Sequence, residues 1–281
     1  MSQPDSEDPL HGTRYRTLRP LGMGNMGEVF LVEHTALGRR FVAKVLRSRH
    51  SRADEYVARL RREARTLGQI RHPHIVTVTD FDVTESGRPF IVMEHLEGRT
   101  LDAELRQLGR LPPSYALVYV RQVLSALGAA HAHGIIHRDV KPQNLFLHSQ
   151  NGSLLPAIKV LDFGAARDTL GFAAPPIPLA TSTGMVVGTP GYLSPEAANG
   201  QRVDLRADLY AVGLVLSVML SGHLPSERLR RPVAAQIGES DLELPNEIRS
   251  QIAPLLLRAL DRDPDKRFQS AAEFSAALPE H

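Results

Sequence analysis

The sequence contains no cysteine and no tryptophan among its 281 residues. Without cysteine, disulfides, thiolate metal sites and a cysteine nucleophile are excluded. Long apolar runs are also missing, since the longest, Leu209 to Leu220, is too short to cross a bilayer and favours a buried helix. The amino end carries no apolar signal segment. We therefore expect a soluble, cytoplasmic chain without a membrane span, while leaving open a longer parent protein anchored in a membrane.

A strong charge of one sign is absent as well. The chain has 33 basic and 31 acidic residues, for a formal net charge of +2. Proteins that bind nucleic acid mainly through phosphates usually have a clear basic excess, so we expect no nucleic-acid partner. Apolar residues make up 42% of the chain, enough for a core, and the length suits two modest domains or one large one.

One short stretch concentrates polar side chains between apolar runs. Residues 137–144 read His-Arg-Asp-Val-Lys-Pro-Gln-Asn, and an Asp-Phe-Gly triplet follows at 162–164. The flanking apolar runs are typical of short buried strands, so Asp139, Asn144 and Asp162 should face one cleft. One carboxylate could accept a proton from a hydroxyl, while the other carboxylate and the amide oxygen could hold a hard cation. This combination indicates phosphoryl transfer.

The segment from Tyr15 to Val45 alternates apolar residues with turn formers and predicts three antiparallel strands. A glycine-rich turn at residues 22–27 leads back into a strand, so it can form a flap whose amides lie over phosphates, whereas a dinucleotide fingerprint would open a helix. Taken alone, a hairpin with loose glycines explains this spacing about equally well.

A lysine, Lys44, lies inside the third apolar strand and needs a partner there. A helix is predicted from about Arg52 to Gln69, and Glu63 lies at the margin of its buried face, which makes it the candidate partner. The alternative is a solvated Glu63 among neighbouring arginines. Four apolar residues define the buried face: Val57, Leu60, Ala64 and Leu67.

Further elements follow from the same periodicities. The sequence predicts a disordered tail over residues 1–12, a buried helix starting at Asp208, and a long loop over 165–184. Other predicted elements are strands at Ile75–Phe81 and Pro89–Met93, a lobe boundary near 95–99, a helix over Ser114–His133, and a hairpin turning at Asn151-Gly152.

Six motifs occur along the chain in this order: the glycine-rich flap, Val-Ala-Lys, a helical Glu, His-Arg-Asp, Asp-Phe-Gly and Ser-Pro-Glu. Because of these motifs, the chain resembles a eukaryotic-type (Hanks-type) protein kinase. It resembles the bacterial serine/threonine kinases most. The resemblance covers residues 13–279 and implies an α+β bilobal fold. The N-lobe, to about residue 95, would be a small antiparallel β-sheet with one main helix. A hinge at about 94–98 would join it to a mainly helical C-lobe.

The resemblance implies transfer of the ATP γ-phosphate to serine and threonine hydroxyls of protein substrates. It makes Asp139 the catalytic base and Lys141 the lysine that touches the γ-phosphate. Lys44 would hold the α- and β-phosphates and pair with Glu63. Asn144 and Asp162 would bind Mg²⁺ or Mn²⁺. The residues implied to contact ATP are Leu21, Gly22, Gly24, Gly27, Val29, Ala43, Lys44, Met93, Glu94, Leu96 and Leu145.

The resemblance also implies structural and regulatory roles. Glu196 should pair with Arg267, and Asp208 should brace the catalytic loop. Thr181 and Thr183 fit autophosphorylation sites, which we expect to order the loop through three basic residues: Arg138, Arg59 and Arg167. The alternative is that these arginines are simply solvated. A homodimer for trans-autophosphorylation is a further expected partner.

Three segments depart from the common kinase pattern: the long stretch between Asn144 and Asp162, the proline-containing loop, and the region after residue 220. The last two lie where protein substrates dock, so substrate specificity is not given by the sequence. Two other functions stay open, a pseudokinase that binds ATP as a scaffold and a small-molecule phosphotransferase. Retention of Lys44 and Asp139 argues against the first.

Overall fold

The computed structural model describes residues 8–24, 27–46, 53–149, 155–163, 190–225 and 237–280. Within the first helix, the side chains of residues 53–56, Arg59 and Glu63 lie outside this description. The chain divides into two compact units. The first consists of residues up to Arg71 together with Val76–Leu96, and the second of His72–Ile75 together with the residues from Glu97 onward.

The first unit is built on a five-stranded antiparallel sheet in the order β1-β2-β3-β5-β4. Its strands are β1 (Tyr15–Gly24), β2 (Gly27–His34), β3 (Arg40–Leu46), β4 (Val78–Val83) and β5 (Pro89–Glu94). Helix α1 (Ala53–Gln69) lies between β3 and β4 in the chain and buries Leu60, Ala64 and Leu67. The three predicted strands and the predicted helix with its apolar face are confirmed.

The core of this unit begins before β1. Leu10 is fully buried in one cluster with Tyr15, Phe30, Val32, Ala43, Val45, Phe90 and Val92. Asp8 fixes the preceding turn, because its carboxylate accepts hydrogen bonds from Leu10 N (3.0 Å) and Thr17 Oγ1 (2.6 Å). The predicted tail over residues 1–12 is therefore wrong for residues 8–12, where a buried leucine offsets the entropy of ordering. Residues 1–7 lie outside the described ranges.

The second unit contains a three-stranded sheet in the order β6-β7-β8 and most of the helices. Its strands are β6 (Gly98–Thr100), β7 (Leu145–His148) and β8 (Ala157–Val160). Its described helices are α2 (Leu101–Leu108), α3 (Pro113–Ala132), α4 (Pro195–Ala198), α5 (Arg206–Ser221), α6 (Asn246–Ala259) and α7 (Ala271–Ala277). The helix predicted over Ser114–His133 is confirmed as α3, and β7 and β8 form the predicted hairpin, whose turn residues are not described.

Helix α5 is buried on every side, which explains its continuous apolar sequence. It packs against α3 and α6. The prediction that it starts at Asp208 is wrong: the helix begins at Arg206, and the Asp208 carboxylate bonds to a distant loop instead of capping its own helix. Among the described helices, none is long and apolar enough to cross a membrane.

The short segment His72–Ile75 joins the second unit through β8. Val160 N donates to His74 O at 2.8 Å, and Ile75 forms a parallel bridge with Val160. Lys159 Nζ donates to Ile75 O at 3.3 Å. These bonds explain why β4 starts at Val78, whereas the sequence predicted a strand from Ile75: the backbone of Ile75 pairs elsewhere.

Candidate active site

The catalytic loop, which connects α3 to β7, is held by one buried carboxylate. Asp208, only 1% exposed, accepts hydrogen bonds from His137 N (Oδ2, 2.8 Å) and Arg138 N (Oδ1, 2.7 Å). Arg138 has a φ of 66°, in the left-handed region where a non-glycine residue costs about 1–3 kcal/mol. The two bonds to Asp208 offset this strain, so the predicted bracing role of Asp208 is confirmed.

A histidine from α3 completes the environment of Asp208. His131 Nε2 donates to Asp208 Oδ2 at 2.8 Å. Oδ2 thus receives two donors and Oδ1 one, which satisfies a carboxylate that has almost no access to water. Sequence reasoning missed His131, because nothing in its local pattern distinguishes it from an ordinary helix residue.

Asp139, Lys141 and Asn144 form the centre of the site. Lys141 Nζ lies 2.8 Å from Asp139 Oδ2, and Asn144 Nδ2 donates to the same oxygen at 2.9 Å and to Asp139 O at 2.7 Å. Among the described residues, Asp139 Oδ1 has no hydrogen-bond partner. The carboxylate is therefore fixed through one oxygen, and the other can accept a proton from an incoming hydroxyl.

The backbone brings Asp162 next to this centre. β7 and β8 pair Leu145 with Val160, and Leu161 N donates to Asn144 O at 2.9 Å. Asp162 follows with a φ of 57°, again left-handed. Arg138 and Asp162 are the two non-glycine residues with positive φ in the described ranges. Such conformations cluster at functional sites, where surrounding contacts impose them.

His137 connects the two strained segments. Its Nδ1 accepts from Asp139 N (3.2 Å) and its Nε2 donates to Leu161 O (2.7 Å), so the ring carries its proton on Nε2. The ring also packs on Phe163, with centroids 4.7 Å apart. Sequence reasoning gave His137 no role, although its place beside Arg138 and Asp139 was a usable signal.

The donor set fits a hard divalent cation. The Asn144 side chain turns its nitrogen toward Asp139, which leaves its oxygen as the atom available to a ligand. An amide oxygen and the Asp162 carboxylate are ligand types that Mg²⁺ and Mn²⁺ prefer. Asn144 is only 7% exposed, so its orientation is well fixed.

In the first unit, the predicted nucleotide-contacting residues lie on β1, β2, β3 and β5. Lys44 pairs with Val29 and Ile91 in the sheet and is 8% exposed, between the fully buried Ala43 and Val45. Gly27 must be glycine, since a Cβ there would lie 2.1 Å from Val45 O. Leu21 and Gly22 are exposed at the end of β1.

The remaining predicted residues of this unit lie at its carboxyl-terminal end. Met93 and Glu94 end β5 and are half-buried, as is Leu96. Glu94 N donates to Thr77 O at 3.0 Å, and Glu94 Oε1 accepts from Thr77 N at 2.8 Å. Among the described residues, Leu96 makes no backbone hydrogen bond, so both its N–H and C=O are available to a planar ligand.

Several predicted residues lie outside the described part of the chain. They are Gly164, Arg167, Thr181 and Thr183. For Arg59 and Glu63 only the backbone, within α1, is described, so the Lys44–Glu63 pair stays a prediction.

A buried ion pair fixes the region around α4. Arg267 NH1 and NH2 donate to Glu196 Oε1 (2.8 Å) and Oε2 (2.7 Å), and Arg267 is fully buried. Its guanidinium also lies 4.8 Å from the Tyr210 ring centroid. Burial alone would raise the pKa of Glu196, but the hydrogen bonds and positive charge of Arg267, together with further hydrogen bonds to the carboxylate, outweigh it and lower that pKa below its usual range. The predicted Glu196–Arg267 pair is confirmed.

Comparison with known proteins gives this geometry a family. A family model described as the protein kinase domain matches residues 15–277. The chain belongs to the protein kinase family. The crystal structure of the Mycobacterium tuberculosis PknI kinase domain superimposes on this kinase with a TM-score of 0.73 at 29% identity, covering 96% of this chain and 97% of that one. The predicted α+β kinase fold is thereby confirmed.

Curated relatives are bacterial serine/threonine-protein kinases. The kinase is 41% identical over 285 residues to Pkn1 of Myxococcus xanthus, covering 98% of this chain and 39% of that protein. It is 38% identical over 280 residues to PknB of Mycolicibacterium smegmatis, covering 96% of this chain and 43% of that protein. The predicted resemblance to bacterial Hanks-type kinases is confirmed. The chain spans about two fifths of the length of these relatives.

Proposed function

We propose that this kinase domain transfers the γ-phosphate of ATP to serine and threonine hydroxyls of protein substrates. The observation that supports this most is the Asp139 carboxylate, held through Oδ2 by Lys141 and Asn144 with Oδ1 left to accept a proton. The substrate hydroxyl donates its proton toward Asp139 as its oxygen attacks the γ-phosphorus, and ADP leaves. Little covalent chemistry is asked of the protein, so fixed geometry and charge supply most of the catalysis.

The other predicted site residues take supporting roles in this proposal. Lys141 neutralises charge on the transferring phosphoryl group, while Lys44, oriented by Glu63, holds the α- and β-phosphates. The residues proposed to contact the nucleotide are Leu21, Gly22, Gly24, Gly27, Val29, Ala43, Met93, Glu94, Leu96 and Leu145.

A divalent cation belongs to the proposed reaction. The family implies that ATP is used with a divalent metal, and we propose Mg²⁺, with Mn²⁺ able to substitute, held by Asn144 and Asp162. Both ions prefer oxygen ligands, which these side chains supply. The bound cation would neutralise phosphate charge and orient the leaving group.

Regulation through the loop is a further part of the proposal. We propose that phosphorylation of Thr181 or Thr183 orders the loop through Arg138, with Arg59 and Arg167 assisting, because a phosphate satisfies several guanidinium groups at once. A homodimer would allow one copy to phosphorylate the other. Protein carrying both Thr181→Ala and Thr183→Ala should phosphorylate a peptide substrate more slowly than wild type; an unchanged rate would contradict this switch.

One experiment tests the main proposal. Purified protein is incubated with radiolabelled ATP and Mg²⁺, and the labelled product is hydrolysed for phosphoamino-acid analysis. We expect phosphoserine or phosphothreonine, no phosphotyrosine, and at least about a hundredfold less label with Asp139→Asn. Nucleotide binding without any transfer would instead indicate a scaffold module and refute the proposal.

The place of action and the whole protein's partners are proposals too. We propose that the domain works in the cytoplasm, where ATP is supplied, and that its substrates are proteins. The relatives named above are more than twice as long as this chain, so the targets they meet through their other segments are not carried over.

A further inference from the structure

A side-chain contact ties the catalytic loop to helix α2. Gln143 belongs to the one-turn 3₁₀-helix Pro142–Asn144, directly before the proposed metal ligand Asn144. Its Nε2 donates to Asp102 Oδ1 at 2.5 Å. The side-chain amide oxygen of Gln143, Oε1, is buried and has no hydrogen-bond partner within the described ranges. The amide of Gln143 is therefore anchored at its nitrogen end, by Asp102.

Asp102 is itself held in place by its own helix. It lies in the first turn of α2, where Thr100 Oγ1 accepts from Ala103 N at 3.2 Å. Leu101 and Leu105 are buried and fix the helix in the unit. Arg106, one turn later, pairs with the other Asp102 oxygen at 2.7 Å, but this arginine side chain is 78% exposed, so the ion pair adds little to the restraint.

The start of α2 is also registered to the strand that leaves the catalytic loop. β6 pairs with β7, with Thr100 opposite Phe146, and β7 begins directly after Asn144. Asp102 therefore has a defined position relative to the carboxyl-terminal end of the segment that carries Gln143. A hydrogen bond to an ionised acceptor is about twice as strong as a neutral one, which suits a positional restraint.

We propose that Asp102 is a positioning residue for phosphoryl transfer, acting through Gln143 to hold the turn that orients Asn144 against Asp139. This inference rests on the function proposed above. Asn144 reaches Asp139 through two bonds, to the main-chain oxygen and to Oδ2. Releasing the turn loosens both, and with them the orientation of the catalytic carboxylate. Removing Asp102 also leaves the partly buried Gln143 amide without its acceptor, which adds a desolvation cost.

The kinetic test uses Asp102→Ala, with Asp102→Asn as the conservative variant and Arg106→Ala as the control. Loss of the bond to an ionised acceptor should lower kcat about tenfold while the KM for ATP stays within about twofold. Asp102→Asn keeps an acceptor oxygen and should stay within about threefold of the wild-type kcat. Arg106→Ala removes the exposed ion pair and should leave kcat unchanged.

A double-variant cycle identifies the route of the effect. If Asp102 acts through Gln143, then Gln143→Ala should lower kcat similarly, and the double variant should be no slower than the slower single variant. Effects that multiply would refute the route through Gln143. An unchanged kcat in Asp102→Ala, or an Asp102→Asn enzyme as slow as the alanine variant, would refute the proposal.

Hydrogen exchange tests the same restraint without requiring activity. The Asn144 amide donates to Lys141 O at 2.9 Å, so it reports on the turn directly. It should exchange about tenfold faster in Asp102→Ala than in wild type, while amides of α3 keep their rates. If the exchange rate of the Asn144 amide were the same in Asp102→Ala and wild type, the positioning role of Asp102 would be refuted, whether or not the protein transfers phosphate. If wild type transferred no phosphate, the proposed function would be refuted, and the exchange result would still test the restraint.

Discussion

Two carboxylates of the site, those of Asp139 in the catalytic loop and Asp208 on α5, are used in opposite ways. Asp208 is saturated with donors and almost inaccessible, whereas Asp139 keeps one oxygen without a partner in the described structure. A saturated carboxylate can only hold other groups in place, and a half-satisfied one can still accept a proton. The same chemical group thus supports structure in one position and, in the proposed mechanism, accepts the substrate proton in the other.

Replacing Asp139 by asparagine should therefore affect the rate and spare binding. General-base assistance contributes about 10²–10⁴-fold, so the kcat of Asp139→Asn should fall within that range. The affinity for ATP should change little, because the proposed nucleotide contacts are elsewhere. Steady-state phosphate transfer and calorimetric nucleotide titration measure the two quantities.

Glu97→Gln is the control for this substitution, since it removes a carboxylate whose side chain is exposed. It should leave kcat at the wild-type value. A comparable loss of ATP affinity and of kcat in Asp139→Asn would contradict the assignment of Asp139 to proton acceptance.

The Glu196–Arg267 pair predicts a pH-dependent contribution to stability. Glu196→Gln leaves the buried Arg267 charge without its counter-charge, which should cost about 3–5 kcal/mol at pH 7. The pKa of Glu196 is lowered in the folded chain, so its contribution is present above the ordinary glutamate pKa of about 4.3 and is lost as the pH falls below it. The stability gap between wild type and variant should therefore narrow at acid pH.

Urea unfolding followed by circular dichroism, at pH 7 and below pH 4, measures this gap. Glu273→Gln is a matched control, because it removes the charge from an ion pair with Arg258 whose side chains are 38% and 44% exposed. An exposed pair contributes about 0–1 kcal/mol, so this variant should stay close to wild type. Equal losses in the two variants would contradict the importance of burial.

The residues that sequence reasoning identified are those with a local motif around them. Asp139, Asn144 and Glu196 each occur in a short recognisable string. His131 and Asp102 were missed, since their partners lie 77 and 41 residues away and only folding brings the pairs together. Spacing along a chain carries no information on such contacts.

For the helices and strands, hydrophobic periodicity predicted which elements are present better than it predicted where each one begins and ends. The apolar face of α1 repeats at helical spacing and was found directly. The start of β4 was placed too early because Ile75 is apolar, and sequence cannot tell which of two sheets an apolar residue joins. α2 went unpredicted, although Thr100 followed by acidic residues is a recognisable helix start.

The catalytic loop depends on α5 through Asp208, and this gives a prediction for the loop as an element. Asp208→Ala removes the acceptor of two main-chain donors and of His131, so the loop loses the bonds that hold Arg138 in its left-handed conformation. We expect a fall in kcat of about tenfold or more, with hydrogen exchange increased at residues 137–139. Asp204→Asn, a nearby carboxylate with a 49% exposed side chain, is the control and should keep both properties.

Across the whole chain, the first unit depends on residues that precede the matched kinase region. Leu10 is fully buried, five positions before the start of the family match. Leu10→Ala should destabilise this unit by about 2–5 kcal/mol, because a large buried side chain is lost and a cavity remains. Urea-dependent hydrogen exchange of β2 and β5 amides measures the loss where it occurs.

Leu37→Ala is the control for the Leu10 variant, since Leu37 is 63% exposed in the turn between β2 and β3. It should change stability by no more than about 0.5 kcal/mol. An equally stable Leu10→Ala protein would contradict the contribution of the buried Leu10 side chain to the first unit.

The segment His72–Ile75 has a consequence for how this protein can be dissected. A protein fragment that begins at Glu97 would contain almost all of the second unit but would lack these four residues. Its β8 would lose the backbone acceptors that His74 and Ile75 provide to Val160 and Lys159. We expect such a fragment to fold stably only when the missing residues are added as a separate peptide. The second unit therefore cannot be isolated by dividing the chain at one position.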